Sequence, residues 1–279
     1  MWSLLAALTV ATGRIPPFQL AVMTFAIGAC VGPAIRLARR GEARPYAGRK
    51  RLPLVAWAVG VGGLFGYHAL YFLALRLAPP AEAGLLNYFW PLLIVLFSAL
   101  LPGEALKRHH LVGVMLGLAG MVVLFTGGGG GNFAKAYLPG FAAALIAAFV
   151  WAGYSVLSRR LASVPTDAVA GFCAATAVLS ACCHLVLETT VWPSSLPQWL
   201  AVFALGVGPV GAAFYAWDIG MKRGDIRVLG AAAYATPLLS TALLVVAGYA
   251  APSWSLAMAA LLIAGGGLIA AKDLLLAKR

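Results

Sequence analysis

The stretch 69–120, ALYFLALRLAPPAEAGLLNYFWPLLIVLFSALLPGEALKRHHLVGVMLGLAG, alternates long apolar runs with short interruptions. The interruptions are the pair Pro79–Pro80 and the polar segment 102–110. A helix that crosses a bilayer needs about 20 mostly apolar residues. The run 81–101 has that length and carries one charged residue, Glu82, near its start. The stretch therefore predicts membrane-spanning helices.

The composition extends this prediction to the whole chain of 279 residues. Hydrophobic residues make up 62% and charged residues 10%, and the mean hydropathy is +0.93. An ordinary soluble domain is about 45–50% apolar and about 25% charged. We predict an all-α integral membrane protein with ten transmembrane helices. Their segments are 1–12, 17–38, 53–77, 81–101, 109–126, 137–158, 165–187, 197–222, 227–248 and 253–275.

The basic residues give these segments a direction. Membrane proteins concentrate Lys and Arg in their cytoplasmic loops. If ten segments alternate across the bilayer, 17 of the 20 basic residues fall on one side, and only Arg14, Arg76 and Lys135 fall on the other. We therefore predict an inner-membrane, multi-pass protein with both termini in the cytoplasm. The net charge of +12 is then explained by basic residues in cytoplasmic loops and does not indicate nucleic-acid binding. The lipid bilayer is the expected partner.

The second half of the chain repeats features of the first half. A displacement of 149 residues places Trp2 on Trp151, and one of 146 residues places Pro91–Leu93 on Pro237–Leu239. Each half contains five segments, so the second half enters the membrane from the opposite side. Inverted repeats of this kind are typical of secondary transporters, which bind solute near the midplane between the repeats.

We predict two inverted five-helix repeats around a central cavity. The first repeat covers 1–126, the second covers 137–279, and the Gly-rich segment 127–136 is an outer linker between them. The first segment is too short to span a bilayer, and we expect its helix to be truncated at the N-terminus of this numbering. In the eighth segment, Gly206, Gly208, Pro209 and Gly211 favour a break in the helix.

Cofactors and catalytic groups are not expected from the sequence. The four cysteines lie inside apolar segments, and the consecutive residues Cys182, Cys183 and His184 would point about 100° apart on a helix. Such residues cannot close around one metal ion. No nucleophile–base pair or pair of acids lies deep in a segment, so an enzyme is not predicted.

The motifs of the stretch 69–120 resemble the repeat unit of the drug/metabolite transporter superfamily, of the EamA type. Those motifs are Pro91, the pair Gly103–Glu104, and the glycines Gly113, Gly117 and Gly120 of a Gly-rich fifth helix. The second half repeats the pattern from 218 to 270, but 248–250 replaces the Gly–Glu pair. The resemblance implies a ten-helix exporter of small metabolites, and the aromatic content is most similar to its aromatic amino-acid exporters.

Aromatic and polar side chains near the middle of the segments are the candidate cavity residues. In the third segment Tyr67, His68 and Tyr71 share one helical face. Aromatic belts lie at the two membrane interfaces, whereas Trp90 and Trp151 are central in their segments. A solute cavity and ordinary packing with interhelical hydrogen bonds both remain open. The predicted cavity residues are Trp2, Tyr67, His68, Tyr71, Asn87, Tyr88, Trp90, Trp151, Tyr154, Phe214, Trp217 and Tyr234.

The candidate function follows from this aromatic cavity. Aromatic rings with few charges suit an aromatic or hydrophobic amino acid, and a broader drug or metabolite exporter of the same fold is the alternative. His68 is predicted to contact the solute or shape its cavity, to carry a proton, or to bond a neighbouring helix carbonyl. Pro91 and Pro237 occupy equivalent places and are predicted hinges, with fixed bends as the alternative. The exact solute, proton coupling and oligomeric state are open.

Overall fold

A computed structural model describes residues 1–38, 52–98, 107–126, 135–161, 163–223, 226–270 and 272. Within these ranges the chain is helical and contains no strand. A 3₁₀ turn precedes α1 and another precedes α7. The helices are α1 (Leu5–Ala11), α2 (Pro17–Ala38), α3 (Leu54–Leu77), α4 (Pro80–Asn87), α5 (Trp90–Ser98), α6 (Arg108–Thr126), α7 (Leu138–Arg160), α8 (Ala168–Leu187), α9 (Leu196–Val207), α10 (Ala213–Arg223), α11 (Ile226–Val246) and α12 (Trp254–Ala270).

Five helical stretches among the described residues are long and apolar enough to cross a membrane. They are Pro17–Ala38, Leu54–Leu77, Lys135–Ser158, Ala168–Leu187 and Leu196–Gly220. Shorter apolar helices occur at Trp2–Ala11, Arg108–Val123, Ala235–Val246 and Trp254–Ala270. The predicted all-helical membrane protein is therefore confirmed. Residues 127–134 of the predicted linker 127–136, and the pair Gly103–Glu104, lie outside the described residues.

Two predicted segments are interrupted helices. The eighth changes from α9 to a π-helical turn at Gly208–Ala212 before it continues as α10, as its glycines and proline predict. The fourth is broken at Tyr88 and Phe89, between α4 and α5. Pro91 therefore lies in the first turn of α5, and the break precedes it. Pro237, in contrast, lies inside the continuous helix α11.

The predicted halves, 1–126 and 137–279, pack against each other throughout the bundle. The most extensive contacts join α6 to α12, α3 to α7 and α2 to α8. Further contacts join α1 to α9, α3 to α8 and α2 to α9, and α11 contacts both α1 and α4. Each of these pairs consists of one helix from each half. The two halves therefore share one core, and neither half has a separate core of its own.

The contact between α6 and α12 depends on small residues. A Cβ atom at Gly113 would meet the carbonyl oxygen of Gly266, and one at Gly266 would lie 2.6 Å from the carbonyl oxygen of Gly113. A Cβ atom at Gly120 would lie 3.0 Å from the carbonyl oxygen of Ala259. Small residues let the helix backbones approach closely where lipid supplies no hydrophobic force between them.

Replacing Gly113 by Leu is expected to destabilise the bundle. The added side chain must push α12 away, and overpacking of this kind typically costs about 1–3 kcal/mol or more. Thermal unfolding in detergent should show a clearly lower midpoint for Gly113→Leu. Gly62→Leu is the matched control, because a Cβ atom at Gly62 would meet no neighbouring helix. Equal midpoints for the two variants would contradict the close contact.

The helices α2 and α8 are tied to each other at both ends. At the start of α2, the Glu188 carboxylate accepts hydrogen bonds from the Phe18 and Gln19 backbone N–H groups at 2.9 and 3.0 Å. His184 Nδ1 lies 2.9 Å from the same carboxylate, and the Gln19 side chain pairs with the Val191 backbone at 2.8 and 3.0 Å. At the other end, Arg36 Nη1 donates to Asp167 Oδ2 at 2.9 Å.

Candidate functional site

Four tryptophans, two from each half of the chain, meet in one cluster of rings. The Trp2 ring lies 5.5 Å from Trp151 and 5.0 Å from Trp217, measured between ring centroids. Trp90 lies 6.3 Å from Trp2, 6.3 Å from Trp151 and 6.0 Å from Trp217. Most of these pairs have the edge-to-face geometry that the ring quadrupoles favour. We call these four residues the tryptophan cluster.

Tyr67 and Tyr71 of α3 extend the aromatic surface beside this cluster. The Tyr67 ring lies 5.0 Å from Trp151 and stacks on Tyr71 at 5.6 Å. Asn87, at the end of α4, donates from Nδ2 to the Tyr67 hydroxyl at 2.9 Å. Within the described part of the chain, Tyr71 Oη and Asn87 Oδ1 have no hydrogen-bond partner. Two buried polar atoms beside the rings are therefore left unsatisfied by the described residues.

His68 lies in a box of aromatic rings. Its ring is within 4.8 Å of Phe25 and Tyr67, 5.4 Å of Phe72 and 5.5 Å of Phe214. Nδ1 lies 2.9 Å from the carbonyl oxygen of Leu64, one turn earlier on the same helix. The side chain is 1% exposed, and Nε2 has no partner among the described residues.

The π-helical turn is joined to the tryptophan cluster through Trp2. The indole Nε1 of Trp2 donates to the carbonyl oxygen of Pro209 at 3.1 Å. A π-helical turn frees carbonyl groups from the regular hydrogen-bond pattern, and such turns are frequent at functional sites. Gly28 of α2 packs on the same turn, because a Cβ atom there would lie 2.9 Å from the Val210 carbonyl oxygen.

A cavity of about 330 Å³ adjoins the tryptophan cluster. Trp2 and Trp217 belong both to the cluster and to the cavity wall. The remaining lining residues are Met1, Ser3, Ala213, Ala216, Ala233, Thr236 and Leu239. The wall is mainly apolar and contains no charged side chain among these residues. A planar or hydrophobic solute fits such a lining better than a phosphorylated one.

The structure brings most of the predicted site residues together. Trp90, Trp151, Phe214 and Tyr154 join the ring network, with Tyr154 5.1 Å from Trp151. The Tyr88 hydroxyl lies 3.5 Å from the carbonyl oxygen of Trp2. Of the predicted site residues whose side chains the structure describes, only Trp2 and Trp217 line the cavity, and the other rings pack beside it. Tyr234 lies on α11, and its side chain is outside the described part of the structure.

Several contributors were not among the predicted site residues. Phe25 of α2 and Phe72 of α3 complete the ring box around His68. Thr236 and Leu239 of α11 line the cavity. Arg76, predicted as an outer-side charge, lies in the last turn of α3 and donates a hydrogen bond to Thr12. Thr236 and Leu239 are one and two residues from Pro237 in the sequence, and this closeness to a predicted hinge could have indicated them as site residues.

The helical bundle and the aromatic site together define a multi-pass membrane transporter. The chain belongs to the EamA-like transporter family, whose model matches residues 1–126 and 138–271. The chain is 58% identical over 280 residues to the aromatic amino acid exporter YddG of Ancylobacter novellus, covering 100% of this chain and 95% of that protein. It is 28% identical over 235 residues to the aromatic amino acid exporter YddG of Escherichia coli K12, covering 78% of this chain and 74% of that protein.

A solved crystal structure is similar in fold. It is 59% identical in sequence, gives a TM-score of 0.77, and covers 96% of this chain and 93% of its own. The predicted EamA-type resemblance, drawn from Pro91 and the glycines of α6, is thus confirmed. The relatives are named as transporters and not as enzymes.

Proposed function

We propose that this protein exports aromatic and other hydrophobic amino acids, or closely related metabolites, across the inner membrane. The observation that carries the proposal is the tryptophan cluster, in which two rings from each half meet beside a mainly apolar cavity. The aromatic ring of a solute can stack on Trp2 and Trp217, and its ammonium group can lie over a ring face. The names of the YddG relatives support the same solute class.

The proposed architecture is two inverted five-helix repeats, 1–126 and 137–279, around this site. The packing pattern supports it, because exchanging equivalent helices of the two halves converts one observed contact into another. The contact of α3 with α7 becomes that of α9 with α1, and the contact of α3 with α8 becomes that of α9 with α2. The contacts α2 with α8 and α6 with α12 exchange into themselves. Both termini would then lie in the cytoplasm.

Alternating access would use the interruptions of the fourth and eighth segments. The break at Tyr88–Phe89 separates α4 from α5, so the first hinge would act there, immediately before Pro91. The π-helical turn 208–212 would give the second half its own flexible point. Pro237 is the proposed hinge equivalent to Pro91, within the continuous helix α11. His68 would shape the site through the rings that surround it.

Transport by the purified protein in liposomes tests this proposal. We expect phenylalanine and tryptophan to move, threonine to move more slowly, and a cationic dye not to move. Liposomes without protein give the background. Movement of the dye without movement of the aromatic amino acids would favour the broader drug exporter and reject the proposed solute. The same assay with and without a pH gradient decides whether protons are coupled.

A further inference from the structure

The charged side chain of Arg76, on α3, contacts the end of α1. It lies in the last turn of α3 and is half-buried. Its Nη2 donates to the Thr12 hydroxyl at 2.9 Å, and its Nε has no hydrogen-bond partner among the described residues. Within that part of the chain no carboxylate is in ion-pair contact with it. The Nε atom is itself buried, and a charged group removed from water is normally paired, because leaving it unpaired is costly.

The guanidinium of Arg76 faces the interior of the bundle. Its partner Thr12 follows the last residue of α1 and is fully buried, at 0% exposure. The helix α1 contacts α3, α4, α9 and α11, so it is enclosed by other helices. Thr12 is itself fixed, since its hydroxyl donates to the carbonyl oxygen of Thr9 at 2.6 Å. The Arg76 side chain is therefore held at a defined place between α1 and α3.

Arg76 continues the face of α3 that carries the aromatic site. His68, Phe72 and Arg76 are spaced four residues apart, which places them on one helical stripe. The rings of His68 and Phe72 are in contact at 5.4 Å. One further turn along the same stripe leads to the guanidinium. The stripe thus runs from the centre of the bundle to the end that the proposed topology assigns to the outer side.

Two ordinary roles explain Arg76 less well. A cation in the last turn of a helix complements the helix dipole, but an exposed Lys or Arg does so without burial. A basic side chain near a membrane interface can extend to lipid headgroups, but this one extends to Thr12, which is fully buried. Neither role accounts for the unpartnered Nε inside the protein.

We propose that Arg76 binds the carboxylate of the exported amino acid at the outer end of the passage, before its release. The inference rests on the proposed export of amino acids. A guanidinium has five N–H donors in a planar fork that matches the two oxygens of a carboxylate. Thr12 uses one donor and orients the fork, so Thr12 is a positioning residue. The aromatic part of the solute would then lie toward Phe72 and the rings around His68.

The sequence repeat supports a role in the path of an anion. The displacement of 146 residues that relates the two halves places Arg76 on Lys222. Lys222 lies in the last turn of α10, at the opposite end of the proposed passage. A cation at each end of a pseudo-symmetric passage would attract the same carboxylate on entry and on exit.

The test compares phenylalanine with phenylalaninamide, which keeps the ring and the ammonium group but has no carboxylate. In sided membrane vesicles, Arg76→Gln should raise the KM for phenylalanine at the outer face by about tenfold, the loss expected for one charge-assisted hydrogen bond. The KM at the inner face and both KM values for phenylalaninamide should not change. Thr12→Val should raise the outer KM less than Arg76→Gln, and Arg76→Lys should restore part of the affinity.

Arg14→Gln is the matched control, because Arg14 belongs to the same side of the predicted topology but is exposed. It should leave the outer KM for phenylalanine unchanged. Equal losses for Arg14→Gln and Arg76→Gln, or equal losses for phenylalanine and its amide, would overturn the proposed site. An Arg76→Gln effect that appears only in vesicles rich in anionic lipid would assign the guanidinium to lipid headgroups and also overturn it.

A binding assay separates failure of this site from failure of the proposed function. Tryptophan fluorescence of the protein in detergent reports binding of phenylacetate and phenylacetamide without any transport. Arg76→Gln should weaken phenylacetate binding by about tenfold and leave phenylacetamide binding unchanged. If wild type transports no amino acid but shows this difference, the function is wrong and the carboxylate site stands. If wild type transports phenylalanine and the difference is absent, the site is wrong.

Discussion

Trp151→Ala is expected to abolish the transport of aromatic solutes and to lower the free energy of unfolding by about 3–5 kcal/mol. Trp151 is 3% exposed, and its ring contacts the rings of Trp2, Trp90 and Tyr67 at 5.5, 6.3 and 5.0 Å. Removing the indole opens a void at the point where rings from both halves meet. Trp2, which lines the cavity, loses the ring against which it is held.

The control for Trp151→Ala is the same substitution at Trp199. Trp199 stacks on Trp192 at 6.2 Å and is 44% exposed, so Trp199→Ala should change neither transport nor stability strongly. Trp151→Phe separates packing from site geometry, because it fills most of the void but changes the ring. We expect near-normal unfolding and altered solute preference for Trp151→Phe. Unchanged phenylalanine transport by Trp151→Ala would remove the tryptophan cluster from the proposed site.

The positions of the helices were predictable because they depend on local composition. The apolar run that became α2, for example, was predicted at 17–38 and is observed at Pro17–Ala38. The break in the fourth segment was harder to place, although its cause is local. Pro91 has no N–H to donate to the carbonyl oxygen of Asn87, four residues earlier, and α4 ends at Asn87.

The candidate site was predictable only as far as single helices define it. Helical spacing placed Tyr67, His68 and Tyr71 on one face of α3, and the structure finds their rings in mutual contact. Which helices are neighbours is a property of the whole bundle, so the ring contributed by Phe25 of α2 was not predicted. Arg76 could not be predicted as a site residue, because the sequence does not show in which direction a charged side chain near the end of a segment points.

The hydrogen bonds between Glu188 and the start of α2 could not be predicted from the sequence either. Glu188 is near the end of an apolar segment, a position from which a carboxylate can reach water. Its side chain is 11% exposed, and its partners are the backbone N–H groups of Phe18 and Gln19 in another segment. Backbone groups carry no residue-specific signal, and no pattern in one sequence can indicate such a pair.

Glu188→Ala is expected to destabilise the protein strongly, by about 3–5 kcal/mol, because the two N–H groups of α2 and the ring of His184 lose a mostly buried acceptor. Arg36→Ala removes the tie at the other end of the same helix pair. The side chains of Arg36 and Asp167 are 50% and 44% exposed. An exposed ion pair contributes about 0–1 kcal/mol to stability. The midpoint of thermal unfolding in detergent measures the effect of both substitutions.

The difference in stability between Glu188→Ala and Arg36→Ala indicates which end of the α2 and α8 pair opens in the proposed transport cycle. If Glu188→Ala lowers the unfolding midpoint much more than Arg36→Ala does, the two ends of the α2 and α8 pair differ in strength as their burial indicates. A moving pair of helices separates where its ties are weakest, so the end at Arg36 and Asp167 would open more readily than the end at Glu188. Equal effects of the two substitutions would show instead that the Glu188 network is solvated in the membrane-embedded protein, and the α2 and α8 pair would then have no preferred end for opening.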